Sequence, residues 1–160
     1  MKIAVGSDEK TALTDAVIAE LGRRGHALTL VGPLTGAKAQ WPEVARGVGE
    51  AVAKGEADEG ILFCWTGTGV SLAANKVPGV RAALCADSET ARGARRWNKA
   101  NVLCLSLRLT SEVVAREILD AWYKTSYQPN TEDDAALAQV EEIERAYSYS
   151  PAVAKAPASE

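Results

Sequence analysis

The stretch EGILFCWTGTG, residues Glu59–Gly69, joins a short apolar run to a glycine-rich turn. The apolar run, Glu59–Phe63, predicts a strand that is buried on both faces, as strands of parallel sheets are. The turn leads into an expected helix over Gly67–Lys76. A buried strand that continues through a tight turn into a helix is typical of α/β folds.

The same alternation of apolar runs and helical patterns occurs along the chain. Strands are expected at Lys2–Gly6, Ala27–Val31, Glu59–Phe63, Val80–Leu84 and Val102–Leu105. Helices are expected at Thr11–Arg24, Trp41–Lys54, Gly67–Lys76, Ser88–Trp97, Thr110–Tyr123 and Thr131–Tyr147. This pattern predicts a three-layer α/β/α sandwich of the flavodoxin-like (Rossmann-like) kind, with a five-stranded parallel sheet in the order 2-1-3-4-5. The binding crevice of such a sheet lies at the carboxyl ends of strands 1 and 3, where the order reverses.

The composition is that of a globular protein of one domain. The chain has 160 residues, of which 47% are hydrophobic and 24% charged. We expect one domain over 1–147 and a flexible C-terminal tail over 148–160, because that tail is rich in Ala, Pro and Ser. The formal net charge is -3 and no basic run occurs, which argues against nucleic-acid and membrane partners.

Three cysteines and one histidine restrict the expected metal and redox chemistry. Cys64, Cys85 and Cys104 are odd in number and form no Cys-x-x-Cys pair, so we expect neither a disulfide framework nor a metal site. No signal-peptide pattern precedes the first strand. A reducing, cytoplasmic location fits these features best.

Polar residues that follow the strands are the candidate site residues. Cys64 follows strand 3 beside a helix N-terminus, which favours the thiolate, although a buried apolar filler is the alternative. The segment Thr66–Gly69 offers hydroxyls and free helix amides to a negatively charged oxygen, although any tight turn needs glycine. Asp8 either binds a ligand or caps the first helix. Arg108 either holds a ligand or forms an ion pair, and Asn98 either contacts a ligand or caps its helix.

Several motifs carry a resemblance to a known family over residues 1 to about 128. They are Gly6-Ser7-Asp8, Cys64-x-Thr66-Gly67-x-Gly69, Ala73-Ala74-Asn75-Lys76, Arg81-Ala82-Ala83-Leu84-Cys85, Asn98-x-Ala100-Asn101-Val102-Leu103 and Arg108. With these motifs the chain resembles the ribose-5-phosphate isomerase type B / galactose-6-phosphate isomerase family. The resemblance implies a flavodoxin-like aldose–ketose isomerase that uses no metal or organic cofactor. It also implies a homodimer or homotetramer whose subunits share active sites.

The resemblance implies a role for each matching residue. Cys64 would be the base that moves a proton between neighbouring sugar carbons. The developing enediolate would be bound by the loop Trp65, Thr66, Gly67, Thr68 and Gly69. Asp8, Asn98 and Arg108 would contact the sugar.

Departures from the family pattern fall where the family opens the sugar ring and holds the phosphate. Glu9 replaces a histidine of the first loop, and Trp97 replaces the ring-opening histidine. Indole cannot exchange a proton at neutral pH, so ring opening falls to another residue or occurs in solution. Glu9, a carboxyl in a partly apolar crevice, is one substitute as proton donor. The family's arginine segment reads Gln128–Ala135 here and contains three acids, Glu132, Asp133 and Asp134. We therefore expect an altered substrate that lacks the usual phosphate.

Three tryptophans stand where the family has other residues. Trp65 replaces a glycine, Trp97 replaces the histidine, and Trp41 is the aromatic of a motif whose preceding aspartate is Gln40 here. Compensating packing changes are one explanation. We prefer a pocket with aromatic walls that stack on sugar rings, with Trp41 as a pocket wall or close to the partner subunit.

Three functions stay open at this level. The first is an isomerase that acts on a sugar without phosphate, with Cys64 as the base. The second is a non-catalytic sugar-binding or partner subunit of an active paralogue, as in the two-polypeptide galactose-6-phosphate isomerase. The third is a genuine ribose-5-phosphate isomerase with a rebuilt phosphate site made of Arg108, Lys10 and helix amides.

Overall fold

The computed structural model describes residues 1–147. Residues 148–160, where a flexible tail is expected, lie outside the described residues. The chain divides into two compact units, Met1–Gln128 and a second unit that begins at Pro129. The expectation of one domain over 1–147 stays a prediction.

The first unit alternates strands with helices. The strands are β1 (Lys2–Ser7), β2 (Ala27–Val31), β3 (Glu59–Cys64), β4 (Ala82–Leu84) and β5 (Val102–Ser106). The helices are α1 (Ala12–Arg23), α2 (Trp41–Ala53), α3 (Thr68–Ala74), α4 (Ser88–Asn98) and α5 (Glu112–Lys124). A short 3₁₀ turn, Gly32–Thr35, lies in the connection between β2 and α2. These elements confirm the predicted α/β fold.

The strand order corrects one detail of the predicted sheet. All five strands are parallel, in the order β2-β1-β3-β5-β4, so the predicted order 2-1-3-4-5 is wrong after β3. Every residue of β5 is buried, whereas β4 is three residues long and partly exposed. A short strand is better tolerated at a sheet edge, and a longer strand that is buried along its length in the interior. As a result, β5 lies beside β3.

A side chain covers the β4 edge. Asn75, which follows α3, donates from Nδ2 to the carbonyl of Ala82 (2.8 Å). Its Oδ1 accepts a hydrogen bond from the amide of Ala82 (2.8 Å). The side-chain amide of Asn75 therefore satisfies β4 as the peptide group of a neighbouring strand would.

Helices cover both faces of the sheet. Helices α1, α4 and α5 contribute to the core on one face, and α2 and α3 to the core on the other. Helix α2 lies very close to the sheet because Gly6 and Gly60 have no side chain. A Cβ atom at Gly6 would lie 2.6 Å from Val44 Cγ1, and one at Gly60 would lie 2.6 Å from Val48 Cγ1. Any larger residue at either glycine would force α2 outward.

A buried ion pair joins the start of β3 to α4 and α5. Glu59 Oε1 lies 2.7 Å from Arg95 Nη2, and Glu59 Oε2 accepts a hydrogen bond from Trp122 Nε1 (2.7 Å). The Arg95 guanidinium stacks on the Trp122 ring and donates from Nη1 to the carbonyl of Ala100 (2.6 Å). Burial raises the pKa of Glu59, although Trp122 and Arg95 act in the opposite direction. These contacts hold the last turn of α4 and the residues after it.

The second unit contains α6 (Thr131–Tyr147), whose bounds match the prediction. Asn130 precedes this helix, and its Oδ1 accepts a hydrogen bond from the amide of Asp133 (2.9 Å). The first turn is acidic, with Glu132, Asp133 and Asp134. Negative charges at this end stabilise a helix, because they complement its dipole.

Removal of Arg95 should reveal how much the buried, charged carboxylate of Glu59 destabilises the fold when it has no counter-ion. Arg95→Met preserves apolar packing on Trp122 but leaves Glu59 without its counter-ion. We expect the free energy of unfolding at pH 7, measured by urea denaturation, to fall by about 3 kcal/mol. The loss should shrink as the pH falls, because a protonated Glu59 needs no counter-ion.

The matched control adds Glu59→Gln to Arg95→Met. The Gln side chain still accepts a hydrogen bond from Trp122 but carries no charge, so the double variant should recover much of the stability lost at pH 7. Equal losses at pH 7 and at about pH 5, or no recovery in the double variant, would contradict this charge-based account.

Candidate functional site

Three neighbouring strands bring polar residues together at the carboxyl edge of the sheet. Ser7 of β1 pairs with Phe63 of β3, and Cys64 of β3 pairs with Ser106 of β5. Asp8 therefore leaves β1 beside Cys64, because adjacent strands lie about 4.8 Å apart. The corrected strand order matters here, since β5 and not β4 flanks Cys64.

The three cysteines are free and lie in different environments. Cys64 ends β3, is 5% exposed and starts the glycine-rich loop. Burial raises the pKa of Cys85 to about 12, and burial raises the pKa of Cys104 further above the ordinary thiol value. The thiols of Cys85 and Cys104 therefore stay protonated at neutral pH. Of the three, Cys64 is the one that adjoins the loop.

Gly67 fixes the shape of the loop between β3 and α3. Its φ angle is 76°, in the left-handed region that favours glycine. A Cβ atom at Gly67 would also lie 2.5 Å from Leu84 Cδ1 and 3.0 Å from the carbonyl carbon of Leu105. The loop thus lies directly on the ends of β4 and β5.

The remaining loop residues present polar groups. The hydroxyls of Thr66 and Thr68 are exposed and 2.6 Å apart. The first helical hydrogen bond of α3 runs from the amide of Ser71 to the carbonyl of Gly67. The amides of Thr68 and Gly69 precede that bond, so the helix itself does not use them.

The segment after β5 is tied to the same loop. The amide of Arg108 and the Oγ of Ser106 both donate to the carbonyl of Trp65, at 2.9 Å and 3.0 Å. The Arg108 side chain is exposed, and no ion pair within residues 1–147 includes it. Its guanidinium is therefore available to a ligand at the carboxyl edge.

Of the three tryptophans that depart from the family pattern, one lies in this loop and a second packs on it. Trp65 lies in the loop and is 58% exposed. Trp41 is the first residue of α2, and a Cβ atom at Gly69 would lie 3.0 Å from its indole. The indole of Trp41 therefore packs directly on the loop. Both rings present apolar surface at the carboxyl edge.

Trp97 and Asn98 lie at the opposite edge of the sheet. They are the last residues of α4, and the start of β5 follows them. There the carbonyl of Asn101 accepts a hydrogen bond from the amide of Gly60 (3.0 Å), near the beginning of β3. Gly60 stands near the beginning of β3 and Cys64 at its end, about 13 Å apart at the usual rise of a strand. Within one chain, the structure does not bring Trp97 and Asn98 to Cys64.

Asp8 is the half-buried carboxyl of the first loop. It does not cap α1, because Thr11 occupies the cap position and its side chain accepts from the amide of Thr14. Burial raises the pKa of Asp8, and the charge of Glu9 adds to the effect. Glu9 itself is exposed, and its main chain bonds to the hydroxyl of Ser7. The partly apolar environment that the sequence predicts for Glu9 belongs to Asp8.

An open cavity of about 350 Å³ adjoins Asp8 at this edge. It is lined by Asp8, Pro33, Lys38, Ala39, Gln40 and Glu43. Sequence reasoning singled out Asp8 and noted Gln40 only as a departure from a family motif. It missed the other lining residues and also Ser106. The available signal was the pairing of strands 1 and 2, which brings the loop after strand 2 beside Asp8.

The described residues offer no ready metal centre. Within residues 1–147, no group of three or more His, Cys, Asp and Glu side chains is placed to hold a metal ion. Over the same range, the helices are too short or too polar to cross a membrane.

Asp8→Asn should stabilise the protein at neutral pH. The raised pKa of Asp8 means that burial disfavours its charged form, a cost that is present above that pKa and disappears when Asp8 is protonated. We expect a higher melting temperature for Asp8→Asn at pH 7 and no difference at about pH 3. Thermal unfolding followed by circular dichroism measures both.

Asp15→Asn is the matched control for this prediction. Asp15 lies in the first turn of α1, where a negative charge favours the helix. Its replacement should therefore not raise the melting temperature at pH 7. A gain for Asp8→Asn that persisted unchanged at about pH 3 would show that charge burial is not its cause.

The chain is similar to known sugar isomerases. A family model described as Ribose/Galactose Isomerase matches residues 3–140. Galactose-6-phosphate isomerase subunit LacB of Clostridium acetobutylicum is 34% identical over 144 residues, which are 89% of this chain and 83% of that protein. Ribose-5-phosphate isomerase B of Escherichia coli is 38% identical over 128 residues, which are 79% of this chain and 86% of that protein.

A solved structure shows the same similarity in three dimensions. The ribose-5-phosphate isomerase B of Clostridium thermocellum superposes with a TM-score of 0.86 at 39% identity, covering 92% of this chain and 99% of that one. The sequence motifs, the family model and the shared fold agree. The chain belongs to the ribose/galactose isomerase family.

Proposed function

We propose that the chain is a cofactor-independent aldose–ketose isomerase of carbohydrate metabolism, with Cys64 as the base and a substrate that lacks the usual phosphate. The position of Cys64 carries the proposal, because it ends β3 next to Asp8 and at the start of the loop Trp65–Gly69. The relatives, named as ribose-5-phosphate and galactose-6-phosphate isomerases, support the reaction class. Three free cysteines agree with a cytoplasmic enzyme.

The reaction moves one proton between two neighbouring sugar carbons. The thiolate of Cys64 takes the proton from C2 of the open-chain aldose, and the electrons of that C–H bond form the double bond of an enediolate. The negative charge develops on O1, where the amides and hydroxyls of the loop stabilise it. Cys64 then returns the proton to C1, while the hydroxyl proton of O2 passes to O1, which yields the ketose.

We assign ring opening to the first loop. Trp97 stands where the family has its ring-opening histidine, and indole has no proton to exchange near neutral pH. Glu9 is exposed and therefore lies outside the partly apolar environment for which the sequence singled it out. The half-buried Asp8, whose pKa is raised by burial, takes its place as the candidate proton donor and also binds the sugar hydroxyls. The exposed rings of Trp65 and Trp41 supply apolar surface against which the sugar stacks.

The distribution of cations supports a substrate without phosphate. Arginine is the residue that binds a phosphate dianion most strongly, and none occurs between Arg116 and Arg145. The acids in the first turn of α6 stabilise that helix. Lys10 lies 3.7 Å from Asp15, so part of its charge is already compensated. Arg108 remains as a cation beside the loop.

The opposite placement of Cys64 and Asn98 supports a homodimer or homotetramer. If Asn98 and Trp97 contact the substrate, they must do so in the site of a second copy, because within one chain they lie at the other edge of the sheet. Each site then combines the Cys64 loop of one chain with the end of α4 of its partner. Closed symmetric dimers commonly build sites in this way.

Replacement of the base should abolish turnover without unfolding the protein. Cys64→Ser should lower kcat/KM by about 10²-fold or more, since a hydroxyl is a much weaker base than a thiolate. The measurement is NMR of the purified chain in D₂O with matched sugars that carry or lack a terminal phosphate. Deuterium should enter the product from solvent, because the transferred proton exchanges on the base.

Cys85→Ala is the control for this test. It removes a buried thiol whose high pKa keeps it protonated, so turnover should match that of the native chain. Equal losses for Cys64→Ser and Cys85→Ala would refute the assignment of the base. Turnover of ribose 5-phosphate that exceeds that of every unphosphorylated sugar would instead favour a genuine ribose-5-phosphate isomerase with a rebuilt phosphate site.

Mixing two inactive variants tests the shared site. Chains with Cys64→Ser and chains with Asn98→Ala should each be inactive alone, because every site in either homodimer lacks one essential group. After mixing and subunit exchange, about a quarter of the sites should be intact and active, since half of the dimers are mixed and each mixed dimer has one complete site. A mixture as inactive as its components, despite verified exchange, would rule out sharing between subunits.

A non-catalytic sugar-binding or partner subunit is the second candidate. One relative is named as a subunit of its isomerase, and Trp97 removes a titrating residue that the family uses. A purified chain that binds sugars, shows no deuterium incorporation and gains activity only with an active paralogue would favour this function.

A further inference from the structure

The cavity beside Asp8 contains charged residues that neither the sequence nor the family resemblance singled out. Asp8 lines one side, and the loop and helix after β2 contribute Lys38, Gln40 and Glu43. Asp8 also leaves β1 next to Cys64, as the pairing of Ser7 with Phe63 requires. Asp8 therefore lies next to both the cavity and the proposed base, Cys64.

Trp41 connects the cavity to the loop on the other side. Gln40 and Glu43, which line the cavity, flank Trp41 in the sequence, and the indole of Trp41 packs on Gly69. A sugar whose reacting carbons face Cys64 and whose hydroxyls reach Asp8 would extend along Trp41. Its far end would then enter the cavity.

The charges of the lining are mixed and sum to one negative unit. Lys38 carries a positive charge, and no ion pair within the described range 1–147 involves it. Asp8 and Glu43 are carboxylates, and Glu43 uses Oε2 to accept a hydrogen bond from the amide of Gln40 (3.0 Å). Hydroxyl groups can bond to both kinds of partner, whereas a phosphate dianion is repelled by two of the three charges.

We propose that this cavity is the subsite for the non-reacting end of the sugar, and that Glu43, with Lys38 acting in the opposite direction, sets its preference for a hydroxyl-bearing end over a phosphorylated one. The inference rests on the proposed isomerase function and names the residues that determine its specificity. The half-buried Asp8 links this subsite to the reacting carbons.

Two charge-removing variants with opposite signs test the subsite. Glu43→Gln keeps an oxygen that accepts from the amide of Gln40 but removes a negative charge, so KM for a terminally phosphorylated sugar should fall about 3- to 10-fold. Lys38→Gln removes the positive charge, so the same KM should rise by a similar factor. For the matching unphosphorylated sugar, the two changes should not shift KM in opposite directions, because a hydroxyl group bonds to either kind of charge and still bonds to Gln.

The controls remove the same charges elsewhere. The control variants are Lys2→Gln and Glu117→Gln. Lys2 starts β1, at the opposite end of the strand from Asp8, and Glu117 lies on the exposed side of α5. Neither should change KM for either sugar by more than about 2-fold, since solvent screens such distant charges. In 0.5 M salt the opposite effects of Glu43→Gln and Lys38→Gln should also shrink.

Failure of this inference differs from failure of the proposed function. Suppose that the native chain turns over both sugars while the two variants shift KM for the phosphorylated sugar no more than their controls do, or shift it in the same direction. Either result refutes the subsite and leaves the isomerase proposal standing. If no sugar is turned over, the isomerase proposal fails, and calorimetric titration of the same sugar pair decides the subsite. Opposite shifts of the dissociation constant then support it, and equal ones overturn it.

Discussion

The close packing of α2 on β1 and β3 is the constraint on which the carboxyl edge depends. Gly6 and Gly60 permit it, because a Cβ atom at either would lie 2.6 Å from a valine methyl of α2. Since α2 begins with Trp41, the depth of this helix also sets how its indole meets Gly69 and where the cavity lining stands. Tightly packed interiors do not absorb an added methyl group freely. Gly6 and Gly60 therefore affect the shape of the cavity and of the loop, although they line neither.

Hydrogen bonds to the main chain hold the loop of the candidate site in place. The carbonyl of Trp65 accepts hydrogen bonds from Ser106 and from the amide of Arg108, and Gly67 lies on the backbone of β5. The side chains of Trp65 and Arg108 remain exposed. A site whose backbone is fixed by its scaffold while its side chains face outward is already arranged for a ligand.

Most of the fold could be predicted because buried parallel strands are apolar on both faces and helices follow them with a regular period. The order after β3 could not, since Val80–Leu84 and Val102–Leu105 are both short and apolar, and a local pattern does not reveal which of them pairs with β3. The placement of Asn98 follows from the parallel sheet, because a helix that joins two parallel strands runs back along the sheet and ends at their amino ends. Asp8 and Thr11 are both good capping residues, and the structure selects Thr11. The predicted pairing of strands 1 and 2 already brought the loop after strand 2 beside Asp8, but which side chains of that loop line the cavity depends on contacts that a local pattern does not encode.

The pairing of Asn75 with Ala82 has a consequence for how molecules of this protein meet one another. An edge strand normally presents unpaired amides and carbonyls to which a strand of another chain can add. Here β4 has three residues, and both main-chain polar groups of Ala82 are already bonded to the side chain of Asn75. An incoming strand would have to displace that side chain and would gain few hydrogen bonds in return. One asparagine thus protects this edge against the strand addition from which cross-β aggregates grow.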